Sequence, residues 1–453
     1  MKESGHFVAI FGGAVAGSEA ASKLTERGIR CVVFEQNSLP YGKLESGLPK
    51  WHIKLRDKEE RKINDKLNHS LVDFVPSVEL GRDIDFTDVV ENWGFSAVLL
   101  ATGAWKDRPL PIEGIDDYVN KGFVYQNPFV AWFNTNHDPE NSTTGYKVSD
   151  NAIIIGGGLA SIDVAKILMI ETVRIKLEEK GFRADVISLE KKGIPEHLSE
   201  LGITFEELNL EGCTLYYRRR LVDMPLSSLP ENPNEKDYEV AHRVRHKIVE
   251  LARKKYLFRF EECHQPVGKI IEDGQLEGLV FQKTAVADGK VSKIDNSEYA
   301  VRSPMIISAI GSLPEPIRGL PYTGNSYEVT DTNTGKLKGF ENVFALGNAV
   351  TGRGNIKESQ LHGRRVSEQV MDDYLTWNSG DYEPLFERAV SDADEKAERI
   401  GEHLKKESTL THDQVQSILT RVKEFQNKSG YDGNYEKWIQ NQLPARIEDL
   451  LQS

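Results

Sequence analysis

The sequence predicts an α/β protein with two parallel-sheet units of the βαβ kind, and three observations support it. Two glycine-rich turns each follow an apolar run and precede a helix-like segment. Short, wholly apolar runs, the pattern of strands buried on both faces, recur after each turn. With 453 residues the chain is long enough for two or three substantial cores.

The first strand, Phe7–Phe11, runs into Gly12-Gly13-Ala14-Val15-Ala16-Gly17, followed by a helix from Ser18 to Arg27 and a strand, Cys31–Phe34, that ends in Glu35. Such a turn needs small residues because the backbone must bend sharply and approach a pyrophosphate, with the helix N-terminus aimed at the anion. Gly12 and Gly17 supply the outer positions, and Ala14 replaces the central glycine. A carboxylate such as Glu35 suits free ribose hydroxyls. The charge density from Lys54 to Lys66 predicts a solvated helix. Ala97–Ala101 predicts a buried strand stopped by Thr102-Gly103, and Pro109 and Pro111 mark a crossover out of the first unit. Residues 121–150 form a connector.

The second unit opens on Ala152–Ile155, then Gly156-Gly157-Gly158-Leu159-Ala160-Ser161, with a helix from about Ser161 to Lys180. Ser161 stands in for the third glycine. Two segments compete as the next strand. Asp185–Glu190 would offer Glu190 as a ribose acid for NAD, whereas Cys213–Tyr217 leads into Arg218-Arg219-Arg220. The latter is preferred, because a planar bidentate donor matches a 2′-phosphate. Two Rossmann-like units, one for a non-phosphorylated dinucleotide and one for NADP, have the layout of a flavin reductase. Asp273-Gly274 and Asp288-Gly289 predict hairpin turns, and Met305–Ile310 and Val343–Leu346 predict buried strands, the latter followed by Gly347-Asn348. From about Gly380 the pattern is helical, polar and acidic, with Val415, Ile418, Leu419, Val422 and Phe425 on one helix face, and it predicts an appended C-terminal extension.

A net charge of −13 argues against nucleic acid as the main partner. No apolar run is long enough to span a bilayer and no secretory signal is visible, so a cytoplasmic protein is expected. Cys31, Cys213 and Cys263 form neither a CxxC pair nor a metal spacing; they are expected to be buried thiols, and no metal site is expected. Between Val240 and Lys255, Val240, Val244, Ile248 and Leu251 share one helical face, leaving Arg243, Arg245, Lys247, Arg253 and Lys254 largely outside. Such a basic face fits either an acidic ferredoxin or flavodoxin, or solvent.

Several segments together resemble the adrenodoxin reductase type of ferredoxin–NADP reductase, related to the small subunit of glutamate synthase, over most of residues 7–370. They are the two glycine turns, Pro40–Leu44 with Gly47–His52, Leu80–Asp83, Phe129–Asn134, Tyr217-Arg218-Arg219 with Met224-Pro225, and Thr351–Ile356. The resemblance implies FAD in the first site, NADPH in the second, and an NADP domain inserted into the FAD domain. The implied division is 1–115 and 331–379 for FAD, 116–330 for NADP, and 380–453 for the helical extension. Carried over by position, Ala16, Glu35, Lys43, Leu80, Gly354, Asn355 and Ile356 are expected to touch FAD, with Leu44, Gly103 and Asn348 as further candidates. Gly157, Gly158, Leu159 and Ala160, with Arg218 and Arg219, are expected to hold NADPH. Asn348 departs from the Asp of glutamate synthase relatives, and the missing CxxC excludes a thioredoxin reductase. The implied activity is hydride uptake from NADPH and electron delivery to a ferredoxin- or flavodoxin-like acceptor. Alternatives are a flavoprotein subunit of a larger enzyme and a non-catalytic flavoprotein. His52, the titratable residue near the expected flavin region, is a candidate for proton handling or for ordinary packing.

Overall fold

A computed structural model describes residues 5–136, 145–227, 229, 233–331, 333–347, 382–444 and 446. The chain divides into two compact units. The first contains the described residues up to Lys106, those from Ser312 to Gly347, and those from Tyr382 onward; the second contains the described residues from Asp107 to Gly311. One unit is thus inserted into the sequence of the other. The borders fall at 106/107 and 311/312, not at 115 and 330, because Leu110 and Ile112 enter the core of the second unit while Leu320 and Tyr327 enter that of the first.

The first unit is built on a seven-stranded sheet. Its order is Val329–Asp331, Lys336–Leu337, Val343–Ala345, Ala97–Leu100, Phe7–Phe11, Arg30–Phe34 and Val72–Val75. The last five strands are mutually parallel. Phe7–Phe11 and Ala97–Leu100 are buried at every position, as expected for strands covered on both faces. The helix Val15–Thr25 covers one face through Ala20, Ala21 and Leu24.

The segment expected to be a solvated helix is a helix, Ile53–Leu67, but only half solvated: Leu55, Ile63 and Leu67 enter the core, and Arg56, Glu59 and Glu60 are buried with them. The C-terminal residues are helical as expected, and they complete the core of this unit. Helix Glu383–Leu404 buries Ala397, Ile400 and Leu404 in the cluster that holds Ala20, Ala21 and Leu24. Helix His412–Ser429 buries Ile418 and Val422 among the residues of the opposite face, including Val32, Phe34 and Val75.

The second unit has a five-stranded, wholly parallel sheet, ordered Phe123–Tyr125, Ile306–Ala309, Ile153–Gly156, Thr214–Tyr217 and Arg259–Glu262. An antiparallel meander of His264–Glu272, Gln275–Ala287, Lys290–Lys293 and Tyr299–Arg302 is inserted before Ile306. Both expected hairpin turns are present, with Asp273 and Gly274 at φ +48° and +77° and Asp288 and Gly289 at +48° and +69°, a left-handed pair suited to a two-residue hairpin. Cys31 and Cys213 are buried, but Cys263 is half-exposed, because it sits at φ +58° in the joint between the parallel sheet and the meander. Among the described residues no helix is long and apolar enough to cross a membrane, and no group of three or more His, Cys, Asp or Glu is placed to hold a metal ion.

Candidate dinucleotide sites

The first glycine turn is held by close backbone approaches. A Cβ at Gly12, where φ is +102°, would lie 2.4 Å from the Ala101 carbonyl oxygen, and one at Gly17 would lie 1.8 Å from the Gly12 carbonyl oxygen. Ala14 is tolerated for two reasons. Its backbone is extended, with φ −71° and ψ −156°. Its methyl also faces Gly42, whose own Cβ would come within 2.9 Å of it. Gly347 plays the same part for Ala16, at 3.0 Å. The role of Gly42 and Gly347 beside the turn is not legible in the sequence, since each makes room for a residue distant in the chain.

Glu35 ends the strand beside this turn and is 3% exposed. Its Oε2 accepts the Gly13 amide at 2.8 Å, and its Oε1 accepts the Asn37 amide and Nδ2, each at 3.0 Å. Burial pushes this carboxyl above the usual carboxylate range, opposed by the same amide donors. Lys43 starts the short helix Lys43–Ser46, donates to Ser312 Oγ at 2.9 Å and lies 5.9 Å from the Trp105 ring centroid. Leu44 and Leu80 are buried, and Gly103 turns with φ +71° directly after the central strand. His52 precedes helix Ile53–Leu67, accepts the Arg56 amide at 3.0 Å through its carbonyl, and packs edge-on against Tyr382 at 5.3 Å. Asn348, Gly354, Asn355 and Ile356 lie outside the described residues.

In the second turn a Cβ at Gly156 would lie 2.4 Å from Ser161 Cβ, and one at Gly157 would lie 2.1 Å from the Tyr217 ring; one at Gly158 would meet nothing within 4 Å. Gly156 and Gly157 thus serve packing, while Gly158 borders open space. Ser161 is fully buried and donates to the Gly158 carbonyl at 2.6 Å, which ties the turn shut where a third glycine is expected. Leu159 and Ala160 form the first turn of the 21-residue helix Leu159–Glu179. Both glycine-turn helices lack a capping side chain and have no acid in their first turn, unlike helix Glu235–Tyr256 with its Asn234–Asp237 capping box. Their free N-terminal amides and positive dipole ends therefore fit a bound pyrophosphate.

The two competing strands resolve clearly. Thr214–Tyr217 pairs in parallel with Ile153–Gly156, which sets Arg218, Arg219 and Arg220 at the sheet edge beside the glycine turn. Val186–Lys192 is a helix capped by Asp185, and its Glu190 is buried. The Glu190 carboxylate accepts Tyr256 Oη at 3.0 Å and lies 3.5 Å from Lys166 Nζ, so it is occupied in the core. Arg220 is bidentate to Asp223, at 2.9 Å twice. Arg219 Nη2 donates to the neutral Gly289 carbonyl at 2.6 Å, and Arg218 is exposed and joins no ion pair among the described residues. Arg218 and Arg219 therefore join no ion pair among the described residues, although the Asp223 carboxylate and Arg219 interact at longer range.

The helix Glu235–Tyr256 departs from the expected basic face. It buries Ala241, Val244, Ile248, Val249, Ala252 and Tyr256, a face rotated from the expected one, and Val240 and Leu251 stay only half-buried. Arg245 turns inward, donating to the Val222 carbonyl at 2.6 Å, the Ser227 carbonyl at 2.9 Å and Ser227 Oγ at 3.1 Å, because the loop before the helix has carbonyls to satisfy. Arg253 pairs with Glu250 at 2.7 Å. Arg243 and Lys254 are exposed, and Lys247 half-exposed.

Residues 6–203 match the family model described as pyridine nucleotide-disulphide oxidoreductase. The chain is similar to the mitochondrial NADPH:adrenodoxin oxidoreductase of Arabidopsis thaliana, with 24% identity covering 70% of this chain and 69% of that protein. Over a shorter stretch, 36% of this chain and 32% of its relative, it is 33% identical to the glutamate synthase (NADPH) small chain of Bacillus subtilis. In fold it is similar to FprA of Mycobacterium tuberculosis, solved in complex with NADPH, with a TM-score of 0.67, 16% identity and coverage of 93% of this chain and 91% of that one.

Proposed function

We infer that this chain, a homologue of the adrenodoxin reductase type of ferredoxin–NADP reductase, is an FAD-dependent oxidoreductase that takes hydride from NADPH and passes electrons to a ferredoxin-type acceptor. One observation carries the reading. The chain holds two uncapped glycine-turn helices, one beside a buried carboxylate and the other beside two arginines that join no ion pair among the described residues. A carboxylate at the first turn selects free ribose hydroxyls, and arginines at the second select a 2′-phosphate.

When bound, the flavin supplies the step from two-electron hydride uptake to one-electron release. The protein's own part is binding and alignment. The Val15–Thr25 helix N-terminus would meet the FAD pyrophosphate, and Glu35 would accept a ribose hydroxyl. Ala16, Lys43, Leu44, Leu80 and Gly103 would line the rest of this site. Asn348, Gly354, Asn355 and Ile356 complete the proposed flavin contacts. His52, packed edge-on against Tyr382, is proposed either to handle a proton near the flavin or to serve packing alone. Gly157, Gly158, Leu159 and Ala160 would receive the NADPH pyrophosphate, and Arg218 and Arg219 its 2′-phosphate.

The purified chain should be yellow and should bleach when NADPH is added without oxygen. A protein that binds no flavin, or whose flavin NADPH leaves oxidised, would overturn the assignment. The acceptor is proposed to be an acidic carrier of the ferredoxin or flavodoxin kind, meeting the exposed cations Arg243 and Lys254 with Lys247 beside them. Reduction of cytochrome c by NADPH, with and without such carriers, discriminates among candidates. A reducing compartment such as the cytoplasm is proposed because all three cysteines are free thiols, and cell fractionation tests it.

A further inference from the structure

We propose that Thr284, on the meander, is a positioning residue for the 2′-phosphate site, holding the arginine turn in its binding shape; this rests on the assignment of Arg218 and Arg219 above. Residues 218–221 belong to no strand, yet neighbouring elements hold the Arg218 and Arg219 carbonyls and the Leu221 amide. Thr284 Oγ1 donates to the Arg218 carbonyl at 2.9 Å. The Cys263 amide donates to the Arg219 carbonyl at 3.0 Å, and the Thr284 amide donates to the Cys263 carbonyl at 2.8 Å. The Glu262 carboxylate accepts the Leu221 amide. The side chain of Arg219 is held in turn by Gly289, in the hairpin between Gln275–Ala287 and Lys290–Lys293.

Thr284 is 3% exposed, and its hydroxyl is spent on a backbone carbonyl of the turn. A valine would fill the same space, so packing alone gives no reason for a hydroxyl there. The chemical effect is preorganisation. A turn fixed before the ligand arrives loses less conformational freedom on binding, so its two guanidiniums meet a phosphate at lower cost. The inserted meander thus takes part in discriminating phosphorylated from non-phosphorylated nicotinamide dinucleotides, without touching the phosphate itself.

The test is calorimetric titration of the flavin-loaded protein with adenosine 2′,5′-bisphosphate and with AMP. Thr284→Val should weaken the bisphosphate about three- to tenfold, the range expected for one lost hydrogen bond, and leave AMP unchanged. Thr284→Ala, which cannot overfill the site, should show the same loss, and Thr284→Ser should restore wild-type binding. In turnover the KM for NADPH should rise while kcat and the KM for NADH stay put. Wild-type bisphosphate affinity in both T284V and T284A would overturn the positioning role. The arginines serve as the control. If R218A/R219A also keeps wild-type affinity, the phosphate assignment falls together with the proposal; if only the arginine variant weakens, the positioning role alone falls.

Discussion

Arg218, Arg219 and Arg220 are chemically identical and adjacent, yet only their surroundings decide which of them can serve a ligand. Arg220 is paired bidentately with Asp223, whereas Arg218 and Arg219 join no ion pair among the described residues. Replacing both with alanine should raise the KM for NADPH about tenfold or more, from the loss of charge-assisted hydrogen bonds, and change that for NADH less than about twofold. Steady-state kinetics with the two cofactors checks it. Glu60 shows the opposite situation, a charge taken out of water. Burial pushes it from near 4.5 up to about 7, against the pull of the Arg446 guanidinium 2.8 Å away. The folded chain therefore keeps a proton that the unfolded chain releases, and this residue makes stability fall as pH rises from about 4.5 to about 7. Glu60→Gln should remove that part of the slope in urea denaturation performed at both ends of the window. At this scale the sequence was informative about strand-end residues. Glu35 and Arg218 announce themselves by following an apolar run. Gly42 and Gly347 carry no such signal, since each is glycine for its left-handed backbone, at φ +54° and +56°, and to spare Ala14 or Ala16, far away in the chain.

Secondary-structure elements were legible wherever one periodicity dominated. Both glycine turns, both hairpin turns and the buried parallel strands lie at the expected positions, because a run of apolar residues or a left-handed Asp-Gly pair is a local constraint. Charge density misled in helix Ile53–Leu67, whose buried Arg56 and Glu60 face each other at 3.7 Å, with Arg446 as a second cation on Glu60 at 2.8 Å. Amphipathicity identified the helix His412–Ser429 but not what covers its apolar face. The C-terminal helices are core elements, and losing packing there should be costly. Ile400, fully buried against the glycine-turn helix, should cost about 2–5 kcal/mol when replaced by alanine. Thermal denaturation followed by circular dichroism measures this, with bound flavin as a second readout, because the same helix carries the first dinucleotide turn.

At the scale of the whole molecule, an acidic chain with a net charge of −13 must reserve any basic docking face for a small area. Of the five cations expected on helix Glu235–Tyr256, Arg245 is committed to loop carbonyls and Arg253 to Glu250, which leaves Arg243, Lys247 and Lys254. If these steer an acidic carrier, R243E/K254E should slow its reduction several-fold at low ionic strength, and the difference should shrink as salt screens the surface. Stopped-flow reduction of the carrier at a series of salt concentrations provides the check. An equal rate at low salt would remove this face as the docking site.

The sequence by itself determined that the chain has two glycine turns, each between an apolar strand and a helix, and that the first is followed by a strand ending in Glu35, since these lie within one short βαβ stretch. Only the tertiary structure decided the rest. It made Glu190 a core residue instead of a ribose ligand, gave Arg220 alone of the three arginines an ion pair among the described residues, and drew the C-terminal helices onto both faces of the first sheet. Arg446 and Glu45 meet across 401 positions of sequence, and Glu35 touches the turn across 22. Local periodicity records which face of an element is apolar. Which distant charge or helix satisfies that face is settled by packing alone.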